Sequence, residues 1–312
     1  MMTPICLFTF NRLNETKQTI DALKKNFLAP ESNLFIFSDG ARNDKDLDKI
    51  EAVRKYLKSV TGFKTIKIIE SNENKGLATS IINGVTEVLS EYENVIVLED
   101  DLITSHNFLN YMNLALLFYQ NDLNIQSISG YSLLLSDKSN EVNFQTRTFS
   151  WGWGTWKNRW NPNIFDKKRI KVAINSSPGI LNKFKQKCGA DMPKMLLDSL
   201  SGKNDSWYIR WTFDHFMNKH YAVFPSYSFV TNIGHNLDAT HCKGINTYIS
   251  KPVNQNKTEF NFPAFYPPHQ QSNSEFLSYF SLKHKILIRI KLLKTQTGRK
   301  QIFKEVKMKM GL

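Results

Sequence analysis

The chain has 312 residues, 41% of them hydrophobic, with 41 Lys and Arg against 28 Asp and Glu and a formal charge of +13. That length and apolar content can fill a sizeable core, which excludes a chain disordered throughout. Three widely spaced cysteines, Cys6, Cys188 and Cys242, exclude a disulfide framework and a zinc-finger spacing.

The opening "MMTPICLFTFNR" has no basic segment followed by a long apolar one, and no uncharged apolar run approaches the roughly 18 residues that crossing a bilayer demands. A reducing, cytosolic setting is therefore expected. Four short apolar runs follow one another in the first 130 residues: "PICLFTF" (4–10), "NLFIFSD" (33–39), "KTIKIIES" (64–71) and "NVIVLED" (94–100). Each precedes a polar segment of helix length, so strand and helix alternate, which predicts an α/β fold with a mainly parallel sheet covered on both faces. Ligands of such sheets bind at the carboxyl ends of the strands. Those ends read "FNR" (Asn11, Arg12), "SDGAR" (38–42), "SNENKGLA" (71–78) and the triplet Glu99, Asp100 and Asp101. All are polar and charged. No G-x-G-x-x-G follows the first run and no G-x-x-x-x-G-K-[ST] occurs anywhere, which disfavours a Rossmann dinucleotide site and a P-loop. Arg or Lys forks, a helix N-terminus at Gly76 and hard carboxylate ligands for Mg²⁺ or Mn²⁺ remain as a way to hold phosphates.

Further along, all six tryptophans lie between Trp151 and Trp211. Trp156, Trp160 and Trp211 read as core. In "SWGWGTW", glycines on both sides of Trp153 remove side chains near the rings, so Trp151 and Trp153 are expected to face the C–H surface of an acceptor sugar. Residues 162–204 are rich in lysine and broken by Pro178, Gly179, Gly189 and Pro193, as expected of a partly helical insertion that shapes an acceptor site. "NDSWYIRWTFDHFMNKHY" predicts a helix with Asp205 or Ser206 as its N-cap. "NIGHNLDATHC" then groups His235, Asp238 and His241. From Lys283 to Lys309 ten Lys or Arg stand against the single acid Glu305, a local charge of +9 that leaves +4 for the rest of the chain. Leu and Ile interleave with these cations, the mixture of a basic amphipathic helix for an anionic membrane surface. A nucleic-acid-binding surface would not be partitioned in this way.

The ordered set "TFNR…SDGAR…NKGLA…VIVLEDDL", with "SWGWGTW" and "DSWYIRW", resembles the GT-A glycosyltransferases. More closely, it is similar to bacterial family-2-like sugar transferases that share a Glu-Asp-Asp motif with N-acetylglucosaminyltransferase I. The resemblance covers roughly residues 3 to 242. It implies a Rossmann-like nucleotide-diphospho-sugar transferase domain over 1–265, with a donor-binding half (1–130) and an acceptor-binding half (131–265), followed by a linker and basic helical tail over 266–312. It implies further that Asp39 receives a base N–H, that Asn11, Arg12 and Arg42 neighbour ribose and phosphate, and that the Lys75–Gly76 turn approaches the donor. Asp101 and His241 are then metal ligands, Glu99 and Asp100 donor contacts, and Asp205 the base that deprotonates the acceptor.

The activity so implied is metal-dependent, inverting transfer from a nucleotide-sugar, a UDP-sugar first among them, to a saccharide or lipid-linked acceptor. The setting would be surface polysaccharide or glycoconjugate synthesis at the inner face of the cell membrane. A sugar nucleotidyltransferase would want a glycine-rich lysine loop after the first strand, where this chain has "FTFNR". A non-enzymatic basic adaptor at a membrane surface would explain only the tail.

Overall fold

The computed structural model describes residues 2–136, 140–234 and 254–310. The first four strands are β1 (Ile5–Thr9), β2 (Asn33–Ser38), β3 (Thr65–Glu70) and β4 (Asn94–Glu99), each within two residues of the run that predicts it. Between them stand α1 (Leu13–Lys24), α2 (Asp44–Leu57) and α3 (Leu77–Glu91). In α3 the buried residues Ala78, Ile81, Val85, Val88 and Leu89 recur every three or four positions, the stripe that lets a helix lie on a sheet. All four strands are parallel neighbours in the order β3-β2-β1-β4. The chain thus winds outward from β1 to β3 and returns to the other side of β1. That reversal opens a crevice at the carboxyl ends of β1 and β4.

Next come β5 (Leu102–Thr104), α4 (Phe108–Phe118), β6 (Ile125–Ser129), β7 (Val142–Gln145) and β8 (Trp153–Trp156). The lysine-rich stretch folds as α5 (Lys167–Asn175), α6 (Ile180–Cys188) and α7 (Met192–Leu200), followed by α8 (Trp207–Met217), β9 (Tyr221–Pro225) and β10 (Val230–Asn232). The sheet continues from β4 as β8-β6-β9-β7, making eight strands in all. In this half β8 runs antiparallel to both β4 and β6, and β7 antiparallel to β9. A separate ribbon pairs β5 with β10, Leu102 opposite Asn232.

This arrangement corrects the reading of "SWGWGTW". Trp153 is 1% exposed in β8, with its ring 4.4 Å from that of Trp211 and 5.1 Å from that of Trp207. It is core and cannot meet a sugar. A side chain at position 154 would strike the Val95 carbonyl at 2.9 Å, so this glycine serves strand packing, not sugar approach.

The helices α9 (Gln270–Ser278), α10 (Leu282–Leu293) and α11 (Gln296–Met310) complete the chain. A boundary at 265 falls inside the core, because Phe276 and Phe280 are each 1% exposed within the main apolar cluster. Glu275 also accepts hydrogen bonds from the Ser136 N–H (2.8 Å) and hydroxyl (2.7 Å). The domain proper therefore runs through Phe280, and what stands apart is the pair α10 and α11. These two pack chiefly on each other, tied by Arg289 to Glu305. Leu282, Ile286, Ile290 and Leu293 are exposed along one side of α10. Among the described residues, no helix is long and apolar enough to cross a membrane.

Candidate active site

A cavity of about 530 Å³ opens at the crevice between β1 and β4. Of the residues singled out in the sequence, Asn11, Arg12, Asp39, Arg42, Gly76, Glu99, Asp100, Asp101, Trp151 and Asp205 line it. Lys75 and Trp153 are not among the lining residues. His241 lies outside the described residues.

The parallel register fixes the acidic triplet. Phe8 of β1 stands opposite Glu99 of β4, so Phe10 to Arg12 and Asp100 to Asp101 leave their strands side by side. The Thr19 hydroxyl donates to the Asp100 carbonyl (2.9 Å) and accepts the Leu102 N–H (3.1 Å), pinning the backbone of the triplet to α1. The Phe10 N–H donates to Asp100 Oδ2 at 3.3 Å. Arg12 contacts Asp100 Oδ1 closely and reaches Asp101 Oδ2 at 3.1 Å. Burial disfavours the Arg12 cation, but the charges of Asp100 and Asp101 outweigh it and raise its pKa. Through Nη2 the guanidinium is tied to the triplet, and Arg12 lines the cavity.

One cation cannot neutralise three carboxylates. Burial, then the charges of Asp101 and Asp100, push the Glu99 carboxyl up to about 8. Burial also raises Asp100 to about 6 against the opposing pull of Arg12. Asp101 Oδ1 is buried without a hydrogen-bond partner, and a buried acceptor left bare is costly unless something else fills its place. A hard divalent cation fits that atom. Among the described residues no group of three or more His, Cys, Asp and Glu side chains is placed to hold a metal ion, so a cation at Asp101 would rely on fewer protein ligands. The end of β10 lies beside this group. β10 pairs with β5, the Ile233 N–H donates to the Asp101 carbonyl at 2.9 Å, and a Cβ on Gly234 would sit 1.9 Å from Asp101 Oδ2.

Asp39 differs from the expectation placed on it. Its Oδ1 accepts the N–H groups of Gly40 and Lys75, both at 2.9 Å. Its Oδ2 accepts the Gly76 N–H at 3.0 Å and the Asn74 amide at 3.1 Å. A carboxylate has about four acceptor sites, and all are used. Asp39 builds the 74–76 turn and has no site left for a base N–H. Gly76 closes that turn at φ 76°, a conformation other residues rarely adopt. Along the rim Asn11 (2.6 Å) and Arg42 (2.9 Å) both bind Asp46, and the Arg42 guanidinium lies 4.8 Å over the Phe10 ring. The hydrogen bond from Arg42 holds the Asp46 carboxyl below its ordinary range.

The opposite wall comes from the second half of the chain. Ser206, not Asp205, caps α8, its hydroxyl accepting the Ile209 N–H. Asp205 is thereby released from capping, and its side chain is 52% exposed. Its Oδ2 lies 3.8 Å from where a Cβ on Gly76 would be, so the two walls of the cavity meet there. Trp151 lines the cavity with its ring edge-on to Tyr131 at 4.6 Å. Arg147, Phe149, Met195 and Tyr208 also line this wall and carry no sequence signal of their own. Arg147 is held by Asp191 (2.8 Å) and by the Tyr208 hydroxyl (3.0 Å), and its guanidinium stacks 3.4 Å over Phe280.

A half-parallel α/β sheet with buried carboxylates at its topological switch point, facing a second wall across one cavity, is consistent with the GT-A fold. Residues 5–186 match the model of glycosyl transferase family 2, and the chain belongs to that family. No curated relative matches the chain. Among solved structures it is similar to the mannosyltransferase PcManGT from Pyrobaculum calidifontis in complex with GDP-Man and Mn²⁺ (11% identity, 50% of this chain and 44% of that one, TM-score 0.34). It is also similar to S. aureus TarS (10% identity, 75% and 37%, TM-score 0.41) and to a UDP-glucose pyrophosphorylase complexed with UDP-glucose (13% identity, 73% and 91%, TM-score 0.37). The chain spans less than half the length of the first two.

Proposed function

We propose that this glycosyltransferase transfers a sugar with inversion from a nucleoside-diphosphate donor, a UDP-sugar first among candidates, to a hydroxyl of a saccharide or lipid-linked acceptor. The observation that carries the reading is that Asp205 and the Glu99–Asp101 triplet line one cavity from opposite walls. Asp101, with its bare Oδ1, would hold Mn²⁺ or Mg²⁺, and His241 is the proposed further ligand. Bound there, such an ion supplies positive charge to the departing diphosphate. The chain's own residues do the rest. The Asp39-built turn presents Gly76 to the donor, Asn11 and Arg42 form the rim beside it, and Trp151 offers a ring edge to the acceptor. Asp205 takes the proton of the attacking hydroxyl as the new bond forms at the anomeric carbon and the bond to the diphosphate breaks.

The exposed apolar side of α10, set among lysines, supports docking on an anionic membrane from the cytoplasmic face, where lipid-linked acceptors of surface polysaccharides would be met.

A thermal-shift series with UDP, GDP, CMP and dTDP, with and without Mn²⁺, tests the donor reading. A nucleotide at 100 times its Kd adds roughly 2.7 kcal/mol of stability. One nucleotide should stabilise the protein only with metal, and Asp101→Asn should abolish that gain without unfolding the chain. Equal shifts in EDTA would refute the metal role.

A further inference from the structure

We propose that Arg210 is a positioning residue for the transfer reaction, holding one oxygen of Asp205 so that the other faces the donor wall. The inference rests on Asp205 acting as the base. Arg210 stands in the first turns of α8, and its side chain is 7% exposed. Each arm of its guanidinium has a different partner: Nε donates to the Ser206 carbonyl at 3.2 Å, Nη1 to the Phe165 carbonyl at 3.0 Å and Nη2 to Asp205 Oδ1 at 3.2 Å. The first two acceptors are backbone carbonyls, fixed by the start of α8 and by the short helix Pro162–Phe165. A planar fork anchored at two points has no freedom left for its third arm. Asp205 is therefore held by something more rigid than itself.

Stability alone gives a poor account of this pair. Burying a guanidinium is expensive, and the cost is recovered best by a partner that is buried with it. Here the partner is half exposed, and among the described residues only Lys167, at 4.0 Å, pairs with it besides Arg210. Left alone, an exposed aspartate samples its rotamers. With Oδ1 engaged, Oδ2 is the oxygen set beside Gly76, on the side from which the donor would present its anomeric carbon. A displacement of about 1 Å at such a position can cost on the order of 100-fold in rate.

The test is a double-mutant cycle on the full chain with Arg210→Met, Asp205→Asn and the two combined, reading kcat, acceptor KM and nucleotide affinity. Arg210→Met should lower kcat roughly 100-fold with nucleotide affinity unchanged, and should cause no further loss in the Asp205→Asn background. A full additional loss in that background, or a normal kcat for Arg210→Met, would overturn the proposal while leaving Asp205 as the base. Normal turnover of Asp205→Asn would overturn the base reading itself, and this inference with it. Should Arg210→Met fail to fold, Arg210→Lys keeps the charge and most of the volume, yet one ammonium cannot meet three acceptors. A folded Arg210→Lys with normal kcat would equally refute the role.

Discussion

The first half of the chain, proposed to hold the donor, and the second, proposed to hold the acceptor, distribute polarity in opposite ways. Strands β1, β2 and β4 bury apolar side chains along their length and become polar at the carboxyl end, where Arg12, Asp39 and the triplet sit. In the acceptor half the central strand β8 is buried from Trp153 to Trp156, and the polar groups of the site come from loops and from the start of α8. A parallel βα unit makes its functional residues neighbours in sequence to a strand end. An antiparallel addition assembled from distant segments does not. Chemistry in the first half is therefore read along the chain, whereas in the second half it depends on which segments meet.

The largest effect expected from probing this contrast is at Asp205. Asp205→Asn should lower turnover roughly 100- to 10,000-fold while nucleotide affinity stays within twofold, because the donor wall is built by the other half. Steady-state kinetics beside nucleotide titration decide it, and joint loss of both would show that the two walls do not act separately. Next are the neighbouring tryptophans. Trp153→Ala should destabilise by about 3–5 kcal/mol in a denaturant titration, with the acceptor KM of the folded protein unchanged. Trp151→Phe, which keeps its pocket filled, should instead raise acceptor KM. The reverse pattern would restore Trp153 to the acceptor site.

A smaller effect is expected from pH. Glu99 and Asp100, ordinarily near 4.5 and 3.8, are raised to about 8 and about 6 in the metal-free fold. The folded state then binds more protons than the unfolded one, so stability should fall as pH rises from about 3.8 to about 8. A cation that binds the ionised triplet should offset this, and the melting-temperature gain on adding Mn²⁺ should grow across the same window. A gain that does not change with pH would argue against the triplet as the metal site. Least disturbing to the fold should be removal of residues 281–312. Turnover on a soluble acceptor should survive, while co-sedimentation with anionic liposomes should drop, each basic residue near such a surface contributing about 1 kcal/mol. Equal co-sedimentation of both forms would sink the membrane reading.

Much of the donor half is legible from residue order, because short continuous apolar runs and their polar ends are local signals. Asp39 shows the limit. "SDG" marks a strand end, but the saturation of its carboxylate by Gly40, Asn74, Lys75 and Gly76 needs β2 and β3 side by side. Trp153 shows a different limit, since alternating glycines suit a sugar platform and a crowded central strand equally well. Only the pairing of Val97 with Trp153 separates the two. Asp205 could be singled out on its resemblance, yet its release from capping by Ser206 and its anchorage by Arg210 exist only in three dimensions. Phe276 and Phe280 lie in a polar stretch, and nothing nearby in sequence announces that they close a core formed far upstream.

That last feature governs how the molecule breathes. Phe280 lies under the Arg147 guanidinium, which also holds Asp191 and Tyr208 on the acceptor wall. Phe280 follows α9 by two residues, so local opening of α9 is expected to loosen the platform on which this cluster rests and to make helix and wall one cooperative unit of native-state fluctuation. On that expectation, backbone amides of α9 and of the segment around Arg147 should exchange their protons together, and a ligand that orders the wall should slow exchange in a helix it never touches.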